Sequence, residues 1–104
     1  MQPEGTYSSD VEGGAPVCIR YRIAGRMQTR DYLAFVAARA RWLDISGWAE
    51  ADATDGVTLV AAGPEALVGA LEMACALGPL NALIERIEGA EEAGPVAPGF
   101  AIRR

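Results

Sequence analysis

Residues 17–24 alternate without a break, with Val17, Ile19, Tyr21 and Ile23 on one side and Cys18, Arg20, Arg22 and Ala24 on the other. A period of two with β-branched residues marks a half-buried strand. Gly25 ends it, and a polar stretch (Arg26, Met27, Gln28, Thr29, Arg30) follows. The period then changes. Tyr32, Phe35, Val36, Ala40 and Leu43 recur at three- and four-residue steps, the apolar stripe of a helix over residues 31–43. Asp31 stands where that helix should start and is read as its N-cap. A strand that enters a helix through a short loop brings the loop to the helix N-terminus, where free N–H groups attract anions.

The rest of the chain extends this unit. Residues 1–16 are rich in Gly, Ser, Pro and acid with no apolar period, and read as a flexible N-terminal tail before one domain over residues 17–104. Ile45-Ser46-Gly47 turns into a short strand at 48–53, Thr54-Asp55-Gly56 makes a hairpin turn, and residues 57–62 return. Gly63-Pro64-Glu65 opens a second helix with Pro64 at its first position. Leu67, Leu71, Ala74 and Cys75 form its buried stripe, with Val68 at the edge. Gly78 closes it at the C′ position and Pro79 prevents continuation. Residues 83–88 read as a fourth strand, 89–98 as a loop, and 99–103 as a short fifth strand. The order β-α-β-β-α-β is the ferredoxin-like α+β arrangement: two helices on one face of an antiparallel sheet, with the other face open.

Composition narrows the chemistry. The chain carries a net charge of -5, which argues against nucleic acid as a partner, because neutralising phosphates needs a basic surface. No apolar run reaches the ~20 residues that span a bilayer, and the polar N-terminus has no signal-peptide pattern, so no membrane association is expected. All basic residues are arginine, and with the abundant alanine this suggests a GC-rich bacterial genome. There is no histidine, which removes the commonest general base and metal ligand. The two cysteines, Cys18 and Cys75, are too few for a Cys-rich zinc site and read as free, buried thiols in a reducing compartment. No metal or cofactor is expected.

Several landmarks, in order, resemble the acylphosphatase family: Gly25-Arg26-Met27-Gln28, a helix carrying Phe35 and Ala38, Ser46-Gly47-Trp48, Asp55-Gly56-Val57, Ala62-Gly63-Pro64-Glu65 and Phe100-Ala101-Ile102-Arg103. The resemblance covers the chain from about Val17 onward. It implies a small cytoplasmic hydrolase of carboxyl-phosphate bonds that uses neither metal nor cofactor. In the family, the loop after the first strand reads G-x-V-Q-G-V-x-F/Y-R. Its N–H groups cradle the phosphate, its final arginine clamps the phosphate oxygens, and an asparagine after the G-W pair holds the attacking water.

Aligned without gaps, this chain departs from that pattern at both chemical side chains. The loop reads G-R-M-Q-T-R-D-Y-L, so Tyr32 matches but Leu33 occupies the arginine position. Ala51 occupies the asparagine position. Thr29 replaces the second loop glycine, where a positive φ would be strained. Phosphoryl transfer depends on positioning and charge stabilisation, and an arginine in that role contributes roughly 10³–10⁵ in rate. Loss of a water-positioning amide costs a further factor on the order of 10². The expected anion-cradle loop is therefore degenerate over Arg26, Met27, Gln28, Thr29, Arg30, Asp31 and Tyr32. An N-cap carboxylate from Asp31 would accept the N–H groups meant for phosphate and close the site.

Three functions follow as expectations. The first is a binding or interaction module, using the open sheet face (Cys18, Arg20, Arg22) or a sheet edge toward a protein partner or a second copy, as monomer or homodimer. The second is a weak or altered hydrolase in which Arg30 substitutes as anion clamp; the plainer expectation for Arg30 is a pairing with Asp31 or another acid. The third is a ligand-sensing ferredoxin-like domain whose family signature is coincidental or inherited. Asp52 should face away from Ala51. Glu85, Arg86 and Glu88 should form a solvated edge or open-face pattern.

Overall fold

In the computed structural model, residues 14–53 and 56–103 are described. The first thirteen residues of the expected tail and the Thr54-Asp55 part of the expected hairpin turn lie outside these ranges. The elements are β1 (Pro16–Arg26), α1 (Thr29–Trp42), β2 (Ser46–Ala51), β3 (Gly56–Pro64), α2 (Glu65–Leu77), β4 (Leu83–Glu91) and β5 (Phe100–Arg103). They form one five-stranded sheet in the order β4-β1-β3-β2-β5. The pairs β1–β3, β1–β4 and β2–β3 are antiparallel, as expected. β5 pairs with β2 in parallel, so the sheet is mixed. The segment after β4 carries the chain from one edge of the sheet to the other, and β5 arrives running in the direction of β2.

The core lies between the helices and one sheet face. Tyr21 and Ile23 of β1, Val57, Leu59 and Ala61 of β3, and Ala49 of β2 meet Tyr32, Leu33, Val36, Ala37 and Ala40 of α1 and Val68, Leu71 and Cys75 of α2. This refines the expected stripes. Leu33 and Ala37 are buried, whereas Phe35 and Leu43 only pack against the cluster. Val68 sits in the core and Leu67 at its margin, the reverse of the expectation, and Pro64 is the N-cap residue of α2 and not its first position. Gly78 is the C-cap itself.

β1 continues past Gly25 because a register shift against β4 absorbs the glycine. Here the chains approach so closely that a Cβ on Gly25 would overlap the Leu83 carbonyl. α1 ends in a Schellman motif. The Ile45 N–H donates to the Ala40 carbonyl and the Asp44 N–H to the Arg41 carbonyl, with Asp44 in the left-handed region at φ 58°. This terminus aims the chain into β2 and so fixes the position of Ala51 at its far end.

Candidate functional site

The start of α1 differs from the expected cradle. Only Met27 and Gln28 separate β1 from the helix; Thr29, Arg30, Asp31 and Tyr32 are already helical. Gln28 is the N-cap residue and makes no side-chain capping bond, and its carbonyl accepts the first helical bond from the Tyr32 N–H at 2.9 Å. Asp31 is therefore not the cap. It lies in the first turn, exposed, where a carboxylate favours the helix dipole without closing the end. Thr29 is not strained either, because a helical residue has negative φ; among the described residues Asp44 is the one non-glycine with positive φ. The helix starts early because Tyr32 and Leu33 are both core residues, and burying them pulls the first turn onto the sheet.

The remaining loop residues divide. Arg26 is the exposed end of β1, paired with Leu83. Met27 packs against the core margin. Tyr32 points inward, fully buried, and its hydroxyl donates to the Cys75 carbonyl at 2.7 Å. Burial drives the Tyr32 hydroxyl pKa above its ordinary range, so it is a structural donor and no acid or base.

Leu33 and Ala51 do come together. They line one cleft of about 510 Å³ between the first turn of α1 and the ends of β2 and β5, with Thr29, Arg30, Ala34, Ile102 and Arg103. Strand alternation places Ala51 on the helix-facing side with Ala49, and Ile102, which pairs with Ala49, beside it. Sequence reasoning missed Ile102 and Arg103, which reach the cleft through the parallel pairing of β5 with β2 and carry no local signature, and Ala34, which lines it beside Leu33 on α1. Arg103 adds no free charge here. Its guanidinium lies 3.4 Å from Glu50 and 4.1 Å from the Trp48 ring centre, on the other face of the sheet. Arg30 is different: it lines the cleft and, among the described residues, makes no ion pair with Asp31 or any other acid. Among the described residues, no Asp or Glu lines the cleft. Asp52 faces away, accepting a hydrogen bond from the Thr58 hydroxyl at 2.7 Å.

The opposite sheet face is laced together by its own side chains. Arg20 pairs with Glu92 at 3.0 Å and lies 5.5 Å from the Trp48 ring centre, so Trp48 meets two guanidinium groups. Glu85, Arg86 and Glu88 are exposed on the edge strand β4. Cys75 is buried and its thiol is pushed up to about 12, chiefly by burial; Cys18 is half-buried. Among the described residues no helix is long and apolar enough to cross a membrane, and no group of three or more Cys, Asp or Glu side chains is placed to hold a metal ion.

Comparison with known proteins places this geometry. The family model described as Acylphosphatase matches residues 19–102. An acylphosphatase of Salinibacter ruber is 33 % identical over 95 residues, covering 90 % of this chain and 100 % of the relative. One of Rhodospirillum rubrum is 34 % identical over 80 residues, covering 77 % and 88 %. The structure of an acylphosphatase from Coxiella burnetii superposes with a TM-score of 0.80 at 22 % identity, covering 89 % of this chain and 96 % of that one, a likeness of fold.

Proposed function

This chain belongs to the acylphosphatase family, and we propose that it has lost acyl-phosphate hydrolysis and acts as a binding module on the acylphosphatase fold. One observation carries the reading: Leu33 and Ala51, which replace the family's arginine and asparagine, line the same cleft. Neither side chain has a donor, an acceptor or a charge. A phosphoryl group seated between them would meet hydrocarbon where charge must be stabilised and where the attacking water must be held. The expected obstruction by Asp31 is no part of the reading, since its carboxylate stands off the cleft. Family membership also removes the third expectation in its form of a coincidental signature.

A second reading is favoured by Arg30. It lines the cleft without an ion partner among the described residues, so it is available to an anion. In this reading the protein is a slow acylphosphatase with a displaced clamp. The relatives that bear the name acylphosphatase support an enzyme, and the missing side chains support the module.

The two separate in one assay. Purified protein is incubated with acetyl phosphate beside Arg30→Ala and the double variant Leu33→Arg with Ala51→Asn, each checked for folding by circular dichroism. Under the first reading the wild type matches buffer, and the double variant gains at least about 10²-fold. Steady turnover by the wild type that is abolished in Arg30→Ala would overturn the first reading and establish the second.

A further inference from the structure

The same cleft has a ligand preference that the loss of two catalytic side chains does not by itself specify. We propose that it binds small organic carboxylates with an apolar body, in preference to inorganic phosphate, through Arg30. This rests on the reading that the phosphate clamp is gone.

Leu33, Ala34, Ala51 and Ile102 give the cleft an apolar wall, and Arg30 is its one cation without a partner among the described residues. A planar guanidinium matches a carboxylate with two parallel hydrogen bonds and neutralises its single charge. A phosphate dianion would use the same two bonds and leave a second charge and two further oxygens against hydrocarbon, where an uncompensated charge is costly. The apolar wall offers phosphate nothing, whereas it removes an alkyl or aryl tail from water. The volume of about 510 Å³ lies within the usual range for small-molecule pockets, ~300–1,000 Å³, and suits a tail of several carbons. The chain as a whole is at -5, so weak nonspecific attraction does not draw anions to it, and a cleft cation that makes no ion pair among the described residues is the feature that selects them.

The test is an amide-resolved NMR titration of the full chain with butyrate, hexanoate and inorganic phosphate in separate samples. Hexanoate should shift Thr29, Arg30, Ala34 and Ala51 saturably and bind about fifteenfold tighter than butyrate, from two added buried methylenes. Arg30→Gln should weaken hexanoate by about tenfold or more, and phosphate should be weaker than hexanoate at the same residues. Phosphate binding tighter than hexanoate, affinity independent of tail length, an unchanged Kd in Arg30→Gln, or absence of saturable shifts at these residues would each overturn the proposal. The carboxylate samples contain no acyl phosphate, so their result is read independently of hydrolysis; turnover of acetyl phosphate would sink the lost-hydrolysis reading without producing or removing these shifts.

Discussion

The Tyr32 hydroxyl donates to the Cys75 carbonyl at 2.7 Å, joining the first turn of α1 to the last turn of α2. The helical partner of that carbonyl would be the N–H four residues on, but that residue is Pro79, which has none. Tyr32 supplies the missing donor in a fully buried place. Tyr32→Phe keeps the ring and removes the bond, leaving a buried carbonyl without a partner. It should cost about 1–2 kcal/mol, read as a lowered midpoint in urea at unchanged slope. A midpoint equal to wild type would mean that water or a shifted helix end satisfies Cys75.

Acid should weaken the link between β1 and the segment after β4. The hydrogen bond from Arg20 holds the Glu92 carboxyl below its ordinary value of 4.5. A carboxyl with a depressed folded pKa stabilises the fold above its unfolded pKa, and that contribution is lost as the pH falls through the folded value. Stability should therefore decline below about pH 4.5, and Glu92→Gln should flatten that part of the pH profile. The pair is only half-buried, which makes the effect small and salt-sensitive. A profile identical in Glu92→Gln between pH 3 and 5 would dismiss the link.

The thiols should react in sequence. Burial pushes Cys75 up to about 12, and Cys18, half-buried, is raised less strongly, again first by burial. Thiolate is the reactive form. With a disulfide reagent at about pH 8, Cys18 should label slowly and Cys75 only after denaturant is added, giving one reactive thiol natively and two unfolded. Two fast thiols in the native protein would contradict the packing of α2.

Gly47 should tolerate no side chain. Its φ of +141° disfavours other residues, and a Cβ there would overlap the Val60 carbonyl across the β2–β3 ladder. Gly47→Ala should cost on the order of 3 kcal/mol or more, measured by thermal or urea unfolding. A loss under ~1 kcal/mol would require the strands to part locally without consequence.

The fold was legible because its signals are local. The alternation of residues 17–24, the stripes of the two helices, and Gly78-Pro79 after the second helix each specify backbone shape within one element, and their order leaves few topologies. The cleft was legible at two of its residues, Leu33 and Ala51, through the order of landmarks along the chain. Its other walls were not, since Ile102 and Arg103 reach it only through a parallel pairing made across the whole sheet.

The stretch from Gly25 to Leu33 marks the division. Sequence alone determined that a strand gives way to a helix there, and that Leu33 stands in that helix among its apolar positions. Tertiary structure decided where the helix begins. Burying Tyr32 and Leu33 against the sheet winds Thr29, Arg30 and Asp31 into the first turn, so Asp31 stands off the cleft and Arg30 lines it. A local pattern carries the preference for a cap, but the free energy of burying two large side chains exceeds the ~1 kcal/mol of one capping bond, and that burial depends on contacts far away in the chain.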